Sequence, residues 1–216
     1  QEIPFVDLKL QYENHREAFE RALINTAAST QYIMGAEVTK FEKNFADFLG
    51  AREVVSVASG TDALRLSCLA LDLKPNDEVL VPANTFIASV LGITELGAKP
   101  VPVDIDPETY NMCVDTLSDK LIKSEKQGNL PKIVIPVHFA GQPCDMEKIY
   151  ELSKKYGFRI IEDASHAIGA SYDNNKVGSC KYSDITIFSF QPVKIITTGE
   201  GGMALTNDEN LSNHMR

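Results

Sequence analysis

The stretch SFQPVKIITTGEGG, residues 189–202, sets one lysine, Lys194, between a short apolar run and a glycine-rich turn. A lysine amine in such a place is a surface charge, a phosphate ligand or a nucleophile that condenses with a carbonyl carbon. The glycines do not make it a phosphate lysine of the familiar kind, because GEGG precedes a strand-like run and GxxxxGK[ST] is absent from the chain. Upstream, in IIEDASHA, residues 160–167, an apolar strand-like run delivers Glu162, Asp163 and His166 to the edge where reactive groups are expected. Burying a carboxylate is costly unless a cation meets it. An acid at the end of a buried strand therefore either caps the next turn or faces a positive group.

Two further stretches, and the start of the lysine stretch itself, offer binding groups. In ASGTDAL, residues 58–64, Gly60 permits close backbone approach, and Thr61 with Asp62 opens a helix whose first amides suit an anion. Ser59 or Thr61 as a simple helix cap is the competing reading. In PANTF, residues 82–86, Phe86 falls in the first turn of the next helix, either packed beneath it or free to stack on a flat ligand. Ser189 stands at the end of the strand before Lys194, and Pro192 forces an extended turn between them. One cofactor needs an anion seat, a flat wall, an acid and an amine together. Pyridoxal 5'-phosphate takes an amine for its Schiff base, a carboxylate at its pyridine nitrogen, a ring wall and a phosphate seat.

The elements that must position these groups alternate. Apolar, largely β-branched runs at 54–58, 78–83, 99–105, 132–139, 159–164, 184–190 and 201–206 read as strands. Helical spacing fills 61–71, 85–97, 114–124 and 145–157. Such alternation predicts an α/β fold of three layers, α/β/α, around a mostly parallel seven-stranded sheet. The last two strands are joined by a short loop, which allows one of them to run antiparallel. Two amphipathic helices, 13–28 and 35–50, precede the sheet, and the reading divides the chain into an N-terminal segment, 1–34, and a cofactor domain, 35–216. In open parallel sheets, reactive groups gather where strands end and helices begin.

Composition narrows the partners. Thirty acidic against twenty-one basic residues give a net charge of -9, with no basic cluster for nucleic acid. No apolar run reaches membrane-spanning length. QEIPFVDLKLQYENH lacks the basic start and apolar stretch of a secretory signal, so the cytoplasm is the expected compartment. Cys68, Cys113, Cys144 and Cys180 lie far apart without metal-ligand spacing, so reduced thiols and no metal are expected.

The order PFVDLKLQY, ASGTDAL, PANTF, EDASHA and SFQPVK…TTGEGG resembles the DegT/DnrJ/EryC1/StrS sugar aminotransferases, pyridoxal-phosphate enzymes of fold type I. The resemblance implies transfer of an amino group, usually from glutamate, to a keto carbon of a nucleotide-linked sugar, in a homodimer with shared active sites. It implies Lys194 as the Schiff-base lysine, Asp163 as the acid at the pyridine nitrogen and His166 near the cofactor's phenolic oxygen. It likewise implies Ser189 with Gly60, Thr61 and Asp62 at the phosphate, and Phe86 on the ring. Gln191 departs from the histidine of many relatives and falls where substrate contacts are expected. The family continues into a smaller C-terminal domain, so NDENLSNHMR reads as the start of a helix leading there. Relatives that are sugar dehydratases replace the lysine with histidine, which Lys194 opposes. A dinucleotide-binding fold lacks its fingerprint here, and a non-catalytic regulator of the same fold remains an alternative.

Overall fold

Side chains along a strand leave it on alternate faces, so an apolar run covered on both sides must feed two cores. In the computed structural model, which describes Pro4 and residues 6–216, this happens throughout the sheet. Residues 1–3 and Phe5, part of the PFVDLKLQY stretch, lie outside the described residues. The chain divides into two compact units, Gln1–Phe45 and Ala46–Arg216, whereas the sequence reading drew the line at 34/35.

Two helices come first, α1 (Leu8–Ser29) and α2 (Ala36–Leu49). Asp7 caps α1 by accepting the Leu10 N–H at 2.9 Å, and Thr30 ends it in the left-handed region. Then follow β1 (Glu53–Val57), α3 (Gly60–Ala70), β2 (Glu78–Pro82), α4 (Ile87–Thr94), β3 (Lys99–Val103), α5 (Val114–Gln127) and β4 (Ile133–Val134). A short 3-10 turn, Phe139–Gly141, leads to α6 (Met146–Tyr156) and β5 (Arg159–Asp163). The small hairpin β6 (Ser171–Tyr172) and β7 (Asn175–Lys176) precedes β8 (Ile185–Ser189), β9 (Gly202–Thr206) and α7 (Glu209–Met215).

The seven-stranded sheet runs β1-β9-β8-β5-β4-β2-β3. Parallel pairing joins β3, β2, β4, β5 and β8, while β9 lies antiparallel to both β8 and β1. All strands but β9 therefore point one way, as a mostly parallel sheet with one reversed strand requires. The β4 run is shorter than expected because Pro136 has no N–H to donate. It continues as a single bridge from Val137 to Asp163.

One face collects Val79, Val81, Ile133, Ile135, Ile161 and Ile187 beneath α3, α4 and α7. The other collects Leu80, Val134 and Ile160 beneath α5 and α6. All four cysteines are free, and burial pushes the Cys68 and Cys180 thiols up to about 12, which keeps them protonated and unreactive. No helix among the described residues is long and apolar enough to cross a membrane.

Gly202, the first residue of β9, pairs with Val57 on one side and Ser189 on the other. A Cβ there would stand 2.2 Å from the carbonyl carbon of Ser59 and 2.6 Å from the Gly60 nitrogen. Gly202→Ala must push the start of α3 off the sheet, and we expect a stability loss of about 1–3 kcal/mol by urea denaturation. An unchanged midpoint would mean that the close approach carries no constraint.

Candidate functional site

Because β1, β2, β5 and β8 run parallel, their C-terminal ends open on the same edge of the sheet. A cavity of about 370 Å³, the size of a small-ligand site, lies there. Its lining includes Gly60, Thr61, Phe86, Asp163, His166, Ser189, Gln191 and Lys194.

Ser59 caps α3, its hydroxyl accepting the Asp62 N–H at 3.1 Å, while its carbonyl accepts Ala63 N–H at 3.0 Å. The Gly60 and Thr61 amides precede the helical ladder and have no acceptor within it. Without a Cβ, Gly60 brings those amides against Ser189, whose Oγ lies 3.0 Å from where a Cβ would stand. Two amides, a helix start and two hydroxyls thus face one corner of the cavity. Asp62 was expected at that corner. It lies outside the lining, its carboxylate accepting the Ser59 hydroxyl at 2.8 Å, so its part is to hold the turn.

The acid comes from β5. Asp163 follows the parity of Ile161 and faces the cavity, where its Oδ1 accepts the Ser165 N–H at 3.0 Å. Its backbone is held on both sides, the N–H by Pro136 O at 2.9 Å and the C=O by His138 N–H at 3.0 Å. Glu162 does not reach this edge as the sequence reading had it. One residue earlier on the strand, it has the opposite parity and is buried on the α5/α6 face.

Lys194 lies in the loop that joins β8 to β9. That loop is tied at its base, Phe190 N–H to Gly201 O at 2.9 Å, and again by the Thr197 hydroxyl and Thr198 N–H on Phe190 O. Lys194 N–H reaches Gln191 O at 2.9 Å, so Pro192 starts a tight turn rather than an extended one. Half-burial lowers the Lys194 pKa below that of an ordinary lysine, with the Asp163 charge acting in the opposite sense. His166 is lowered too, first by burial and then by the Lys194 charge.

Phe86 precedes α4 rather than sitting in its first turn, and its ring is largely exposed at the cavity. The cavity also takes Asn84, Thr85 and Ser89 after β2, and Val137 and Phe139 after β4, none of which sequence reasoning selected. Thr85 and Ser89 share a hydroxyl contact of 2.8 Å. The spacing of residues 85 and 89, one helical turn apart, was the available signal for that pair.

A family model matches residues 13–216. The chain belongs to the DegT/DnrJ/EryC1/StrS aminotransferase family. It is 39% identical over 215 residues to a UDP-2-acetamido-2-deoxy-3-oxo-D-glucuronate aminotransferase of Pseudomonas aeruginosa, covering 99% of this chain and 58% of that protein. A family aminotransferase of Brucella abortus matches at 35% identity and a TM-score of 0.95, over 100% of this chain and 58% of that one. NtdA of Bacillus subtilis, solved with bound cofactor PMP, matches at 31% identity and a TM-score of 0.89, over 99% of this chain and 47% of that one. The chain thus spans about half the length of the relatives it matches.

The donor set fits the phosphorylated, aldehyde-bearing pyridine that the family's motifs imply. An anion seat closed by glycine, an amine and a carboxylate line one cavity.

The opposing effects on Lys194 give a measurable order. Its folded pKa lies below 10.5, so in the window just under 10.5 the unfolded chain binds more protons and stability rises with pH. In Asp163→Asn the supporting charge is gone. We expect the pH of half-maximal acylation of Lys194 to lie below the normal lysine value in the wild type and to fall further in Asp163→Asn, read by peptide mass spectrometry. An upward move on that substitution would contradict the geometry.

Proposed function

We propose that this chain carries the pyridoxal 5'-phosphate site of a transaminase that moves an amino group from glutamate to a keto carbon of a nucleotide-linked sugar. The observation that carries the reading is one cavity that joins an amine of lowered pKa, a carboxylate fixed by backbone bonds and a helix-start anion seat. The sugar aminotransferase among the relatives supports the substrate class. Residues 35–216 would serve as the large cofactor domain and the cytoplasm as its place of work.

Gly60, Thr61 and Ser189 would hold the phosphate, with Asp62 keeping the turn in shape. Phe86 would lie against the ring, His166 near its phenolic oxygen and Asp163 at its nitrogen, and Lys194 would hold the cofactor covalently. Once bound, the cofactor supplies an electron sink for charge developing on the amino donor's α-carbon. Lys194 Nζ, eased of its proton by burial, is the base that takes the proton from that carbon. The Asp163 carboxylate keeps a proton on the ring nitrogen facing it, which a neutral amide would not do. Gln191, beside the lysine turn, would meet the substrate through an amide. Phe86, Val193 and Ile195 expose 72%, 71% and 57% of their surface near Lys194 and the cavity, and such an apolar rim supports a homodimer with shared sites.

Mixing the protein with pyridoxal 5'-phosphate should give a visible absorbance band that glutamate shifts. Lys194→Ala should lose that band and lower transamination by about 10²–10⁴-fold from proton transfer alone, with the fold retained. Normal turnover in Lys194→Ala would end the assignment. Asp163→Asn should lower kcat far more than cofactor affinity; unchanged kcat with cofactor bound would leave Asp163 as a turn cap only.

A further inference from the structure

On the face of the sheet opposite the cavity lies a buried pair that the proposed chemistry does not use. His138 is fully buried and Glu162 nearly so, and His138 Nε2 lies 2.7 Å from Glu162 Oε1. His138 Nδ1 accepts the Cys144 N–H at 3.1 Å, which leaves the ring proton on Nε2 and makes that nitrogen the donor to Glu162. The second oxygen, Oε2, accepts the hydroxyls of Ser183 and Thr186, each at 2.8 Å. Burial opposes the carboxylate, but the hydrogen bonds from His138, Ser183 and Thr186 outweigh it and hold the Glu162 pKa below the ordinary value.

Such a pair adds little stability over apolar side chains of the same volume. What it adds is direction, because hydrogen bonds fix angles that dispersion contacts do not. The direction bears on the cavity through the backbone. His138 holds residue 162 by its ring and residue 163 by its N–H, which donates to Asp163 O at 3.0 Å. Val137 and Phe139, on either side of His138, line the cavity. Glu162 and Asp163 are neighbours on one strand, so a rotation of β5 that frees one turns the other.

We propose that His138 and Glu162 form a positioning pair that aims the Asp163 carboxylate into the cavity from the opposite face of the sheet. The service of that aim to a cofactor rests on the function proposed above; the aim itself does not.

The test is a His138→Leu/Glu162→Leu double variant, which leaves no buried charge unpaired. Asp163 is the charged group that acts on Lys194, and Lys194 in turn acts on His166, so the acylation midpoint of Lys194, read without cofactor, reports whether Asp163 still faces it. Positioning predicts a folded protein whose midpoint moves down as in Asp163→Asn, and whose uptake of pyridoxal 5'-phosphate weakens roughly tenfold or more. His138→Gln, which keeps a donor toward Glu162, should restore much of both. A double variant with lowered thermal stability but the wild-type midpoint would overturn the proposal, since a purely structural pair predicts that. Should the double variant not fold, Thr186→Val removes one donor to Glu162 at similar shape. A smaller downward shift there supports the pair, and no shift overturns it. A wild-type chain that took up no pyridoxal phosphate would sink the proposed function, and the Lys194 midpoint would still decide the positioning.

Discussion

Two acids stand side by side at the end of β5, and the pleat of the strand sends them to opposite faces of the sheet. Much of the site depends on that separation. Asp163 joins the Ile161 face and lines the cavity together with the half-buried lysine, while Glu162 joins the Ile160 face and must find its partners there. The parity is held by polar partners, because a one-residue slip would merely exchange Ile160 and Ile161 between two apolar faces but would take Glu162 from His138, Ser183 and Thr186. The partners of Glu162 thus fix which carboxylate is available for chemistry.

The second constraint is steric. The start of α3, the end of β8 and the start of β9 converge where Gly60, Ser189 and Gly202 meet, and two of the three have no side chain. Glycine is needed for distance here rather than for backbone angle, since neither Gly60 nor Gly202 has a positive φ. The result is a helix start packed directly against a hydroxyl at the cavity wall, a donor set that suits an anion.

Electrostatics follows from placement. Lys194 lies in a tied loop at the cavity, where burial disfavours its charge and the Asp163 carboxylate supports it. Burial prevails, so the amine is easier to deprotonate than a surface lysine, and burial first and then the Lys194 charge lower His166. A cavity with an acid, an amine and an imidazole can hold protons in more than one arrangement, which general acid–base chemistry requires.

The sequence by itself determined the alternation of strands and helices, because β-branched runs and helical spacing are local properties of the chain. It also determined which strand ends carry Lys194, Asp163, Gly60, Phe86 and Ser189, since a residue's place relative to a strand end is read along the chain. Even the separation of Glu162 from Asp163 was there, in the parity of IIED, although their shared motif hid it. Tertiary structure alone decided the strand order, which brings β1, β8 and β5 within reach of one cavity through the reversed β9. It alone brought His138 across from the β4 loop to Glu162, because side chains twenty-four residues apart meet only when two strands pair. Neither arrangement leaves a local mark, for both depend on register between segments that the sequence lists far apart.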